Sequence, residues 1–205
     1  AKRILLPAVV FWPFTVIPLG FLAMYGASVR GLPAPMAQEP SSPLMMFTPG
    51  QLWFLLVLFE LATLVLLARA ALLRFLGEER AGRAATRIGE ALSHPAGVLL
   101  PALVFVAALL LQGGEPAGGI IAPATIVPEP ASTLGYLGAF LTGWFLHASP
   151  GSMRRIAGHW LPMLVLGLIA TVVVWLPGVP REALMVAVAL AGWLLGFGLL
   201  GAAVR

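Results

Sequence analysis

The chain contains no cysteine, no aspartate and no asparagine. The first absence excludes disulfides, thiolate chemistry and cysteine-ligated metal centres. The second leaves glutamate as the only carboxylate for acid–base work. The third removes any N-glycosylation acceptor. Lysine occurs once, at Lys2, so eleven of the twelve basic residues are arginine. Charge is scarce altogether, at 10% of residues, against about 25% in a soluble domain. What fills the chain instead is apolar sequence, 60% of its 205 residues, in runs of span length. This composition predicts an all-α integral membrane protein. The net charge of +4 does not point to nucleic acid, because the basic residues cluster at the ends of apolar runs.

Six spans are predicted, at about 4–27, 52–68, 95–111, 132–148, 159–176 and 182–204, as one transmembrane bundle. The first is interrupted by Pro7, Pro13 and Pro18 and is expected to kink. Ser28 to Gly50 reads as a loop rich in Pro, Ser and Met. Arg69 to Ala91 has helical spacing with its charges on one side, which predicts a helix along the membrane surface. Gln112 to Ala131 reads as a Gly/Pro loop, and Ser149 to Gly158 as a turn carrying Arg154 and Arg155. With six spans both termini share a side. Lys2, Arg3, Arg69, Arg74, Arg80, Arg83, Arg87, Arg154, Arg155 and Arg205 then fall together, and only Arg30 and Arg181 oppose them. That asymmetry assigns the first side to the cytoplasm. The first apolar run is too long for a signal peptide, and the chain is expected to be an internal piece of a longer protein.

Gly196-Phe197-Gly198-Leu199-Leu200-Gly201 spells a dinucleotide-binding G-x-G-x-x-G, but it lies inside an apolar helix with no strand before it, so it is rejected. Gly192 and Gly196 form a G-x-x-x-G that would allow close helix contact. Glu60 is the one ionisable residue deep within a span. It reads either as a carboxyl that knits two helices together or as a group that handles protons or contacts substrate. His94, His147 and His159 are scattered along span ends, whereas zinc needs three or four ligands held together, so they read as interfacial side chains and no metal is expected. No G-x-S-x-G elbow and no H-E-x-x-H is present. A basic rim of Lys2, Arg3, Arg154 and Arg155 offers bidentate donors suited to a polyphosphate or to anionic lipid headgroups.

Three segments, in order, carry a family resemblance. Lys2-Arg3-Ile4-Leu5-Leu6-Pro7 resembles an R-I-L-x-P that opens a central span. Leu52-Trp53-Phe54-Leu55 resembles an L-W-F-L after a long outer loop. Tyr136, Phe140, Gly143 and Trp144 resemble a Y-x-x-x-F-x-x-G-W followed by a basic turn such as Arg154-Arg155. Together they resemble the acyltransferase 3 family of membrane O-acyltransferases, most of all its glucan-modifying branch. The resemblance implies a bacterial cytoplasmic-membrane protein of about ten spans, an acyl-CoA co-substrate on the cytoplasmic side, and a glycan or other hydroxyl acceptor. Within that reading Lys2, Arg3, Arg154 and Arg155 are the candidates for binding the CoA phosphates, and Trp53 and Glu60 for lining the acyl or acceptor path. It also implies that the catalytic residues lie outside this chain, since none of its three histidines matches a family position. The rival reading is a transporter or lipid flippase with Glu60 as coupling group. A third is a non-catalytic scaffold, its helix interior packed dry with no cavity reaching the cytoplasmic face.

Overall fold

The structure is a computed structural model. It describes residues 2–31, 52–123 and 127–205, without the side chains of residues 2–5 and 7–9. The described residues are helical, with no strand among them. The helices are α1 (Lys2–Val29), α2 (Trp53–Leu76), α3 (Glu78–Ser93), α4 (Leu99–Gln112), α5 (Pro130–Ala148), α6 (Ser152–Ala157), α7 (Trp160–Val174) and α8 (Arg181–Val204), with single 3-10 turns at Pro95–Val98 and Pro116–Gly118. Most of the expected loop at 28–50 lies outside the described residues. Among the described residues four segments are long and apolar enough to cross a membrane: Val10–Val29, Trp53–Leu76, Pro95–Gln112 and Arg181–Val204. The expected fourth and fifth spans are helices α5 and α7, but both fall outside that set. α5 is 19 residues long and diluted by Ser132, Thr133, Thr142 and three glycines. α7 has only 15 residues, held between Gly158 and the Pro177-Gly178 turn.

The chain divides into two compact units, one of residues 1–66 and 122–129, the other of 67–121 and 130–205. In the first unit, α1 runs unbroken through Pro7, Pro13 and Pro18. Thr15 Oγ1 donates back to the carbonyl of Phe11 at 3.1 Å, and Ser28 Oγ to that of Tyr25 at 2.7 Å. On α2, Val57, Leu61 and Val65 are buried. Their four-residue spacing makes one stripe, and Glu60, partly buried, lies beside it.

The second unit is built from helices of alternating direction. A methyl group at Gly135 would meet Ala108 Cβ at 3.5 Å, and one at Gly138 would meet Val104 Cγ1 at 2.8 Å, so α5 returns along α4. Gly167 faces Leu195 and Gly198 faces Leu164, each within 3 Å of the position a Cβ would take, so α8 returns along α7. Val98 and Leu194 share one core cluster. Sixteen residues on from Val98 and thirteen back from Leu194, Arg181 Nε donates to the Gly114 carbonyl at 3.1 Å, so α8 is also antiparallel to α4. Backbone approach through glycine is how helices bind one another where lipid leaves no hydrophobic drive between them. Gly192 and Gly196, the expected contact pair, face open space among the described residues. Gly198 and Gly201 make the close approaches instead. The phase of the packed face, which no spacing rule fixes, decides between them.

The core of this unit sits at one end, where Leu92, Val98, Leu146, Ile156, Met163, Leu194 and Phe197 meet. The surface helix starts later than the sequence predicts. α2 continues through Arg69 and Arg74 to Leu76, and the break falls at Gly77, whose φ of 75° is costly for any residue with a Cβ. At the α4 entry, Pro95 opens the 3-10 turn and His94 Nδ1 accepts the Ala96 N–H at 3.2 Å. Gln112 closes the opposite end. Its Nε2 donates to the Gly119 carbonyl at 3.1 Å and its Oε1 accepts the Ile121 N–H at 2.8 Å.

Candidate functional site

Two features of the second unit can interact with a ligand: a polar junction at its core end and an apolar groove beside it. The junction begins with Ser149-Pro150-Gly151-Ser152. Gly151 has φ 77° and turns the chain from α5 into α6. Ser152 Oγ donates to the Leu146 carbonyl at 2.6 Å, which satisfies one of the acceptors that a helix end leaves open. The six-residue α6 then carries Arg154 and Arg155. Arg155 Nε donates to Ser93 Oγ at 2.8 Å, and its Nη2 donates to Ser149 Oγ at 3.0 Å. The Ser93 hydroxyl donates its own hydrogen bond to the Glu90 carbonyl at 2.9 Å, so its lone pairs are free to accept. Both serines are buried, at 1% and 3% exposure. One guanidinium thus ties the end of α3 to the turn after α5, across 62 residues of sequence. Neutral acceptors hold it, and among the described residues no carboxylate pairs with it.

Arg154, its neighbour in sequence, is exposed, and its side chain forms no hydrogen bond or ion pair with another described residue. Its charge is available to a ligand, whereas two of the Arg155 donors are already engaged. Arg205 adds a third cation, with Cζ 5.8 Å from the centre of the Trp160 ring, a cation–π distance. Lys2 lies in α1 with Arg3, and their side chains lie outside the described residues. Trp53 and Glu60, both partly buried on α2, belong to the first unit. Trp53 stands edge-on to Phe54, with ring centres 6.0 Å apart. The histidines take local roles. His94 caps the 3-10 turn, His159 Nδ1 sits 3.0 Å from the Arg155 carbonyl, and His147 is exposed. Among the described residues no three potential ligands converge on a metal site.

The groove has a volume of 530 Å³ and runs between the 3-10 turn before α4, the α7 face around Ile169 and Val173, and the α8 face around Ala183 and Ala187. Every side chain lining it is apolar, so it can recognise hydrocarbon and little else. Val98 and Leu194 belong both to its wall and to the core cluster that contains Ile156, the residue after Arg155. The groove therefore backs onto the same core that carries the cationic turn. Sequence reasoning reached Arg154 and Arg155 through their charge. It missed Ser93 and Ser149, because a hydroxyl 62 residues from its partner leaves no local signal. The S-P-G-S turn after an apolar run was the one available clue. No family model, no curated protein and no solved structure matches the chain.

Proposed function

We propose that the chain is the six-span membrane portion of a bacterial O-acyltransferase of the cytoplasmic membrane, with both termini on the cytoplasmic side. It would use acyl-CoA as donor and a hydroxyl of a glycan or similar acceptor. The observation that carries this reading is an apolar groove of 530 Å³ whose wall backs onto the core of a cationic turn. A groove of this chemistry suits an acyl chain, and permanently charged arginines suit the phosphates that follow it in acyl-CoA. The ordered resemblance of the segments at Lys2–Pro7, Leu52–Leu55 and Tyr136–Trp144 supports the same class. The alternating directions of α4, α5, α7 and α8 support four crossings in the second unit.

In this reading Arg154 holds CoA phosphate directly. Arg155 orders the turn and offers its remaining donors, and Lys2 and Arg3 of the first unit are the further candidates for phosphate. Trp53 and Glu60 line the path of acyl group or acceptor. In the transfer, the acceptor oxygen bonds to the thioester carbonyl carbon, the carbon–sulfur bond breaks, and the hydroxyl proton passes through a general base to the departing thiolate. The base comes from outside this chain.

Binding of acyl-CoAs to the detergent-solubilised protein tests the proposal. Each methylene buried in the groove contributes about 0.8 kcal/mol, so palmitoyl-CoA is expected to bind far more tightly than acetyl-CoA. Ala170→Phe, which fills the groove from a partly exposed position, should remove most of the chain-length dependence while free CoA binding persists. A folded protein that binds all acyl-CoAs equally or not at all would overturn the reading. Lipid scrambling in vesicles without acyl-CoA binding would favour the flippase instead.

A further inference from the structure

The face of α3 that points away from the bundle carries a second pattern. α3 is docked by a seam of Ala81, Ala85, Gly89 and Leu92, partly or fully buried, with Gly89 set against the Phe145 carbonyl of α5. At about 100° per residue, Arg80, Arg83 and Arg87 fall within one narrow arc directly opposite that seam. All three are exposed. The residues on either side of this arc differ in kind. One flank is Ala84, Ile88 and Ala91, all exposed, with Ile88 at 40%. The other is Glu79 and Glu90, where Glu79 meets Arg83 Nη1 at 3.4 Å in a solvent-exposed pair. Such a pair contributes little. Around the helix the order is therefore apolar, cationic, acidic, packed.

That order matches the layers of a membrane surface, which run from hydrocarbon through headgroup phosphate to water. The position agrees. α2 is long and apolar enough to cross a membrane, and its last turns still expose Leu72, Phe75 and Leu76, with Phe75 at 82%. α3 starts after a single glycine, Gly77, so it leaves the bilayer at headgroup depth. A helix exposed only to water would gain nothing from an apolar flank beside its arginines.

We propose that the Arg80, Arg83 and Arg87 face of α3 is a docking surface for the phosphate headgroups of anionic phospholipids. Ile88 and its alanine neighbours rest on the acyl boundary, and Glu79 and Glu90 face water. The inference depends on α2 crossing the bilayer and not on the acyl-CoA reading, since it uses none of the groove or of the α6 turn.

The test is titration of the full chain, in neutral detergent, with fluorescent phosphatidylglycerol and with fluorescent phosphatidylcholine. A basic residue near an anionic surface is worth about fivefold in affinity. Arg80→Gln/Arg83→Gln/Arg87→Gln should therefore weaken phosphatidylglycerol binding on the order of a hundredfold and leave phosphatidylcholine unchanged. The matching triple lysine variant should restore it. Raising salt from about 50 mM to about 500 mM should weaken wild-type binding as screening grows, a readout that does not depend on any variant folding. Millimolar inorganic phosphate should not compete, because it lacks the acyl chain that Ile88 meets. Unchanged phosphatidylglycerol binding in a triple glutamine variant with wild-type helix content would overturn the proposal. So would salt-independent binding by the wild type, or full displacement by inorganic phosphate.

Discussion

Valine at Gly89 is expected to unseat α3 from α5 and destabilise the protein by about 3 kcal/mol. A Cβ at this position falls onto the Phe145 carbonyl and lies 2.6 Å from Ser149 Cβ. A backbone oxygen inside a helix cannot rotate aside, so the helices themselves must separate. That places the cost at the upper end of what overpacking does. Their separation pulls Leu92 out of the core cluster and draws Ser93 away from Arg155. Gly82→Val is the control. It lies on the same helix, makes the same chemical change and faces open space, so only the small difference in helix propensity remains, a few tenths of a kcal/mol in favour of valine. Unfolding by SDS, followed by circular dichroism, should separate the two variants clearly. Hydrogen exchange should show residues 78–93 losing protection in Gly89→Val alone. Equal behaviour of the two would mean that α3 is not seated on α5.

The second large effect belongs to Arg155→Leu. It removes two charge-assisted hydrogen bonds and leaves the buried Ser93 and Ser149 without their donor. Bonds to charged groups contribute about 1.5–3 kcal/mol each, but both hydroxyls can turn toward nearby carbonyls and the guanidinium is partly solvated. A net loss of about 2 kcal/mol is expected. Lysine should not rescue, because one ammonium on a flexible stem does not reproduce the fork that reaches both serines. Arg154→Leu should change stability by less than about 0.5 kcal/mol, although it carries the same charge one residue earlier. Thermal unfolding of the three variants checks the order. A loss as large in Arg154→Leu as in Arg155→Leu would show that charge, not the serine junction, sets stability at this turn.

These two positions mark where sequence stopped being informative. Apolar runs and their proline and glycine punctuation located α4, α5, α7 and α8 to within a few residues, whereas α6 read as a turn and α3 began nine residues later than expected. Pro95 opened the 3-10 turn that leads into α4, and Gly158 and Pro177 bounded α7. The arginines marked one end of the bundle by charge alone. What sequence could not supply was phase and partnership. It favoured Gly192 and Gly196 for close contact, whereas Gly198 and Gly201 lie on the packed face. It ran the surface helix through Gly77, because helical spacing continues across a residue whose role is set by φ. It treated Arg154 and Arg155 alike, although the junction with Ser93 separates their roles. The glycine phase and the arginine roles depend on residues far apart in the chain, which periodicity does not see, and the break at Gly77 depends on a local φ to which it is equally blind. Glu60 is the converse case. Its place in an apolar run drew attention in the sequence, and the structure adds that it flanks the buried stripe of α2.

The absence of cysteine makes the central claim directly measurable, since single cysteines can be labelled with no background. The claim is that α4, α5, α7 and α8 cross the membrane in alternation, with α3 and α6 at the cytoplasmic end and the Gly113–Ile121 connection at the other. Glu90→Cys on α3, Arg154→Cys on α6 and Ala117→Cys in that connection are all at exposed positions. In intact bacteria, a membrane-impermeant maleimide that reaches the outer face of the cytoplasmic membrane should label Ala117→Cys alone. Opening the membrane should add Glu90→Cys and Arg154→Cys. Labelling of Glu90→Cys together with Ala117→Cys before the membrane is opened would place both ends of α4 on one side and contradict the account.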